Sequence, residues 1–268
     1  MNENPRLFTV KQPLVLAYGM GVDSTAIIVR FVQLGIVPDL ILFANTKAEK
    51  PETYAYLPVV QKYLADHTFP EIQVVEVTRT SKHESLESEC LTNETLPSLA
   101  FGMKSCSLKW KVGPQNKYCN NWQPAREAWA CGVKVKKVIG YDASPRDACR
   151  GTFGQDGTGK GKCICCRTNP CKKYDYWYAL LEWGIDRDGC KDIIRSAGLP
   201  VPPKSACFFC PASHKDEIIW LAETHPQLAK RALRMEDNFL TGRHPARSTK
   251  GLGRRYAWRD VLAEADLC

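Results

Sequence analysis

Apolar positions along this chain fall into two alternating spacings, and the alternation predicts the fold. Short apolar runs at 13–18 (PLVLAY), 39–45 (DLILFAN), 72–77 (IQVVEV) and 135–142 (VKKVIGYD) have the length of buried strands. Between them the spacing turns helical. VDSTAIIVRFVQLG ends at Gly35, and PETYAYLPVVQKYLADH carries Pro51 in its first turn, where a missing N–H does no harm. AREAWACG adds a helical stretch just before the fourth run. Strands alternating with helices in this way predict a doubly wound α/β fold, a parallel sheet covered on both faces. Such sheets bind ligands at the carboxyl ends of their strands, which places residues 19–24, 45–52 and 140–150 on one edge.

After residue 148 the pattern breaks. CRGTFGQDGTGKGKCICCRTNPCKK is rich in Gly, Lys and Cys and has no periodicity, so it reads as a long loop or insertion. Helical spacing returns at DGCKDIIRSAG and from Lys215 to about Leu240. The expected organisation is a nucleotide-binding core at 13–148, a Cys/Gly/Lys-rich insertion at 149–172, and a basic helical C-terminal part at 173–268. The aromatic run YDYWYALLEW (174–183) reads as core, with base stacking as its functional alternative.

Hydrophobic content of 44% and charged content of 25% are those of a globular protein. No apolar run reaches the length of a membrane span, and MNENPRLFTVKQP lacks the layout of a signal peptide, so the expected compartment is the cytoplasm, with no membrane partner. Thirteen cysteines in a reducing compartment point to metal ligation or thiol chemistry; small buried hydrophobes are the plainer alternative. A net charge of +8 favours an anionic partner, nucleotide or nucleic acid. Lys230, Arg231, Arg234, Arg243, Arg247, Lys250, Arg254, Arg255 and Arg259 concentrate that charge near the C-terminus, as a solvated face or a phosphate-backbone track.

The chemistry begins at AYGMGVDSTA (17–26). Gly19 and Gly21 permit a tight turn and close approach to a phosphate, and the following helix start offers free N–H groups. Ser24 and Thr25 add hydroxyls, while Asp23 either caps the helix or binds a Mg²⁺ that the phosphate shares. A second glycine loop, GQDGTGK (154–160), fits a Walker A spacing, but Gly161 stands where Ser or Thr should bind Mg²⁺ and no strand or helix flanks it. CFFCP (207–211) is a Cys-x-x-Cys on a turn, able to give two thiolates to one metal. Cys149, Cys163, Cys165, Cys166 and Cys171 form a second group, in which zinc could fold the insertion or a mobile loop could simply carry thiols. The five histidines show no ligand spacing.

GMGVDS resembles the Ser-Gly-Gly-x-Asp-Ser loop of the PP-loop ATP pyrophosphatases, a superfamily that includes sulfonucleotide reductases and nucleic-acid thiolation enzymes. Gly19 stands for the Ser and Met20 for the first Gly. NTKAEKPETY (45–54) is similar to an Asp-Thr-Gly…Pro-Glu-Thr segment of the PAPS reductase branch, with Asn45 for Asp and Lys47 for Gly. SCSLKWKVGP (105–114) resembles its Cys-Cys-x-x-Arg-Lys-x-x-Pro segment, and GYDASPRDACR (140–150) its Gly-x-x-x-x-Glu-x-x-x-Arg segment.

The resemblance implies an ATP site built from Gly19, Met20, Gly21, Val22, Asp23, Ser24 and Thr25, with Asn45, Thr46, Glu49, Glu52, Thr53, Gly140 and Asp142, and a Mg²⁺ ion. Asp23, Lys109, Lys111 and Arg150 are the candidate catalytic residues. Cys106 falls where related APS reductases carry cluster cysteines, and Cys190 starts the helix leading toward Cys207 and Cys210. The four would make a Cys₄ site for a [4Fe–4S] cluster or, alternatively, Zn²⁺. The implied activity cleaves ATP to AMP and pyrophosphate, adenylating a substrate for sulfur insertion into nucleic acid, DNA or tRNA. A cysteine desulfurase would be the sulfur donor, and a homodimer the assembly. The rival enzyme is a PAPS or APS reductase, whose Glu-Cys-Gly-x-His tail is not matched by EADLC. The non-enzymatic alternative is a metal-stabilised nucleic-acid-binding protein.

Overall fold

A computed structural model gives the architecture. It describes residues 10–77, 83–152, 166, 171–242 and 249–267, the side chains of 149–152 excepted. The Arg150 and Cys149 side chains, Gly154–Lys160, Cys163, Cys165, Arg243, Arg247 and Cys268 therefore lie outside the described residues.

In chain order the first elements are β1 (Leu14–Tyr18), α1 (Val22–Leu34), β2 (Leu40–Asn45), α2 (Pro51–Asp66), β3 (Ile72–Glu76) and α3 (Leu86–Thr92). Short turns follow, α4 (Ser105–Ser107) among them, then α5 (Gly113–Asn121), α6 (Gln123–Ala130), β4 (Val135–Ile139) and α7 (Pro145–Thr152). The remainder comprises β5 (Tyr174–Trp177), α8 (Ala179–Glu182), α9 (Arg187–Ser196), α10 (Lys215–Thr224), α11 (Pro226–Leu240) and α12 (Trp258–Glu264). The strands form one parallel sheet in the order β3-β2-β1-β4-β5. The α/β fold expected from periodicity is present. α1 stops at Gly35, whose φ of 65° is the left-handed cap that glycine adopts without a Cβ penalty.

The aromatic run at 174–183 supplies β5 and core. Phe31 stacks on Trp177 at 5.6 Å and meets Trp183 edge-on at 6.2 Å, which uses these rings for packing. No helix among the described residues is long and apolar enough to cross a membrane.

The chain divides into two compact units that interleave in sequence. The first runs to Phe43 and adds Ala55–Val74 and Gln115–Lys204; the second holds Ala44–Tyr54, Val75–Pro114 and the chain from Ser205. The linear boundaries expected at 148 and 172 are not the ones the contacts draw, because β5 and α9 return to complete the first unit. The first core gathers Leu16, Met20, Ile27, Phe31, Ile41 and Val138. The second gathers Trp110, Phe208, Phe209, Met235, Phe239 and Trp258.

Glu236, fully buried on α11, organises the second unit. Its carboxylate accepts the backbone N–H groups of Leu252 (2.7 Å), Trp258 (2.9 Å) and Arg259 (3.1 Å), pinning the last stretch of chain to α11. A Cβ on Gly251 would lie 2.3 Å from Glu236 Oε2, so only glycine fits there. Glu236→Ala strands two buried donors and one part-buried donor and should cost about 3 kcal/mol in urea denaturation of the full chain.

Candidate active site

In the first unit, β1 ends at Tyr18 and the chain reverses before α1. Met20 takes a left-handed φ of 59° with its side chain fully buried, and Gly21 is extended at φ −108°, ψ 177°. Ser24 Oγ accepts the Gly19 N–H at 3.1 Å and donates to Gly21 O at 3.3 Å. Thr25 Oγ1 donates to the same carbonyl at 2.9 Å and shares a hydrogen bond with Tyr18 Oη at 3.1 Å. The two hydroxyls expected to face a phosphate thus hold the turn itself. The N–H groups of Val22, Asp23 and Ser24 lie in the first helical turn, where they have no intrahelical acceptor and form an anion-binding end. Gly140, just past β4, lets that end pack closely: a Cβ there would stand 3.1 Å from Ser24 N.

Carboxylates crowd the same helix start. Oxygens of Asp23, Asp142 and Asp147 all lie within 4.8 Å of one another, with Asp142 and Asp147 3% and 2% exposed. Among the described residues they are the one set of three or more His, Cys, Asp or Glu close enough to share a single ion. Asp142 Oδ1 also accepts the Ser144 N–H at 2.9 Å, and Arg187 Nη1 reaches Asp23 Oδ1 at 2.5 Å. Burial raises the Asp23 pKa above the usual carboxylate range; Arg187 opposes the shift, and the Asp142 and Asp147 charges add to it. Oxygen donors in this arrangement suit Mg²⁺. Asp147 could have been found from its place in GYDASPRDACR, five residues after Asp142. Nothing in the sequence flags Arg187.

The second unit holds its own polar set. Asn45 Oδ1 accepts from Lys47 N and from Tyr54 Oη, each at 2.9 Å, and its amide donates to Glu76 at 2.8 Å. Lys47 sits at φ 56° with its ammonium on Glu76 at 3.0 Å. Thr46 Oγ1 lies 3.3 Å from Glu49 Oε1 and 3.5 Å from Cys207 Sγ. Lys111 Nζ pairs with Glu49 Oε1 at 2.7 Å, while buried Glu49 Oε2 has no hydrogen-bond partner among the described residues. Burial works to lower the Lys111 pKa, but the Glu49 charge and hydrogen bond together with the charges of Cys207 and Cys210 outweigh it, and the net shift is upward. Burial first, and Glu49 second, push the Cys207 thiol up to about 12. Lys109 and Trp110 both bond Glu89, and Lys109, Trp110 and Lys111 share a π-helical turn at Leu108–Val112, a form frequent at functional sites. Glu52 pairs with His225 Nε2 at 2.5 Å, a role the histidine spacing did not announce. Thr53 is fully buried near the start of α2.

The expected Cys₄ set is divided between the two units. Cys190 belongs to the first unit, fully buried with Ile194 on the inward face of α9, and there it acts as a small hydrophobe. Cys106, Cys207 and Cys210 belong to the second unit, with Cys207 and Cys210 on one turn (Cys210 N to Cys207 O, 2.9 Å). Cys90 is buried on α3 in the same unit, where burial first, then the charges of Glu89, Cys106 and Cys207, push its thiol pKa up. No three of these sulfurs lie within 4.8 Å of one another.

No protein-family model matches the chain, and no curated protein matches its sequence.

Two outcomes follow from the loop. Met20→Gly relieves a left-handed backbone, gaining about 1–2 kcal/mol, but empties a fully buried side-chain site, losing about 2–5 kcal/mol. A net loss in melting temperature is expected. For pH, the folded state holds the Asp23 proton more tightly than the unfolded chain does. Stability should therefore fall as pH rises from the ordinary carboxylate range through the raised Asp23 titration. Asp23→Asn should flatten that part of a melting-temperature profile.

Proposed function

We propose that this chain is a PP-loop-type ATP pyrophosphatase that adenylates a substrate. One observation carries the reading: an anion-binding helix end and a three-carboxylate cation site occupy the same turn, from Gly19 to Thr25 with Asp142 and Asp147. A magnesium-bound polyphosphate needs both. The left-handed backbones at Met20 and Lys47 add support, since both stand where the resembled segments carry Gly.

In this reading the N–H groups of Val22, Asp23 and Ser24 orient the β- and γ-phosphates. Asp23, Asp142 and Asp147 would hold Mg²⁺, which when bound neutralises phosphate charge. A substrate oxygen attacks the α-phosphorus, the bond to the bridging oxygen of the β-phosphate breaks, and pyrophosphate leaves with that electron pair. Arg187, half-exposed and already beside Asp23, is the guanidinium placed to meet charge developing on the phosphates. In the second unit Cys106, Cys207 and Cys210, with Cys90 as the fourth thiol, would hold an iron–sulfur cluster, which when bound supplies thiophilic redox chemistry. The proposed acceptor is a nucleic acid, and the proposed sulfur source a persulfide-carrying donor.

The test is product analysis of α-labelled ATP with candidate acceptors. AMP and pyrophosphate are expected; ADP and phosphate, or tight sulfonucleotide binding without ATP turnover, would refute the reading. Asp142→Asn should weaken magnesium-dependent ATP binding by about 2 kcal/mol, roughly thirty-fold, the scale of one bond to a charged group. On duplex DNA, replacing Arg254 and Arg255 together should reduce the salt dependence of log K by about two units, while ATP affinity stays unchanged.

A further inference from the structure

The second unit contains a cavity of about 460 Å³ beside α3 and the turns that follow it, within the size range of small-ligand sites. Leu86, Leu96, Phe101 and Trp110 give it apolar and aromatic walls. Phe101 is held edge-on against Phe239 at 5.7 Å, and the Trp110 indole N–H donates to Glu89 Oε2 at 2.5 Å, so both rings are fixed before anything binds. Glu89 and Lys109, paired with one another, also line the cavity and offer an acceptor and a donor side by side. A carboxylate has about four acceptor sites, and Lys109 and Trp110 use two of those on Glu89.

The surround is basic. Exposed Lys104 stands between Met103 and Ser105, both of which line the cavity. Arg254, also exposed, donates from Nε to Leu99 O at 2.7 Å, which seats its guanidinium against the turn that carries Ser98 and Phe101. Apolar walls suit the faces of a heteroaromatic ring, the Glu89–Lys109 pair suits its polar edge, and cations outside the cavity suit phosphates on either side.

We propose that this cavity receives a single unpaired nucleobase of a nucleic-acid chain, with the flanking phosphates on Lys104 and Arg254. Every base carries a donor and an acceptor on its pairing edge, so Glu89 and Lys109 select an unpaired base rather than a sequence. A paired base has that edge occupied and must first leave the stack. The inference rests on the nucleic-acid acceptor proposed above and is independent of the ATP chemistry. Cys90 and Cys106 line the same cavity, so a base held there lies beside two of the thiols of that reading.

The test is titration of the full chain with three short DNA duplexes: fully paired, carrying one bulged cytosine, and carrying the same bulge as an abasic site. The bulged cytosine should bind about ten-fold more tightly than either control, the scale of one base on aromatic side chains. Ser105→Trp obstructs the cavity from an exposed position and should abolish that preference, leaving affinity for the paired duplex unchanged. Met103→Trp, also at an exposed position, should do the same and serves where the first variant does not fold. Lys104→Ala should lower the salt slope on all three duplexes by about one unit and keep the preference. Equal affinity for the cytosine and abasic bulges overturns the inference alone, as does a preference that survives both Trp variants. Displacement of the bulged duplex by cytidine monophosphate at comparable concentration assigns the cavity to a free nucleotide and overturns it too. Failure to bind any of the three duplexes overturns the nucleic-acid acceptor itself.

Discussion

The reversal between β1 and α1 constrains the rest of the first unit. A helix can present its amino end at the carboxyl edge of a parallel sheet only if the chain turns within about three residues. Here the turn runs through Met20 in a left-handed conformation, a cost of about 1–2 kcal/mol for a residue with a Cβ. Burial of the Met20 side chain offsets that cost, and Ser24, Thr25 and Tyr18 lock the geometry with hydroxyl bonds around the Gly21 carbonyl. The turn is therefore organised before any ligand arrives. It also fixes the rotation of α1, which sends Ile27 and Phe31 into the core and leaves Asp23 facing Asp142 and Asp147.

That placement is electrostatically unfavourable in isolation. Three carboxylates within 4.8 Å, two of them nearly inaccessible to water, repel one another and lose hydration. Two guanidiniums relieve part of this, Arg187 on Asp23 and the largely exposed Arg146 on Asp147 at 3.2 Å. On the proposed reading, a divalent cation bridging to phosphate would match both the carboxylates and the adjacent N–H groups. The second unit contrasts with this arrangement. Its Glu49 and Lys111 already neutralise one another, and what remains around them is a set of thiols.

Periodicity made β1 to β4 and the helices between them legible, because each strand buries its apolar run and each helix shows one apolar face. It missed β5: four aromatic-rich residues are too short to show a period, and only pairing with β4 makes them a strand. The interleaving of the two units was invisible for a related reason, since contacts rather than sequence order define them. Of the candidate site, the 19–25 loop, Gly140 and Asp142 could be read directly, because glycine and aspartate there answer local demands. The cysteines could not. Cys190 and Cys90 each lie on a helix, and spacing alone does not say which face points to an apolar core and which to other thiols. Arg187 was equally hidden, since its role depends on α9 lying against α1.

Departures from a sequence pattern can argue for it once backbone angles are known. Read as letters, Met20 and Lys47 weaken the likeness to a glycine-bearing phosphate loop and its companion segment. Their φ values of 59° and 56° are those that glycine is favoured to adopt, which fits the proposed reading. Each replacement comes with its own compensation. Met20 is fully buried, gaining contacts that glycine could not make. Lys47 has its N–H bound by the Asn45 side chain and its ammonium bound by Glu76, so local bonds hold the left-handed turn. On the proposed reading, Met20 and Lys47 keep the backbone path of the resembled segments and add anchoring of their own.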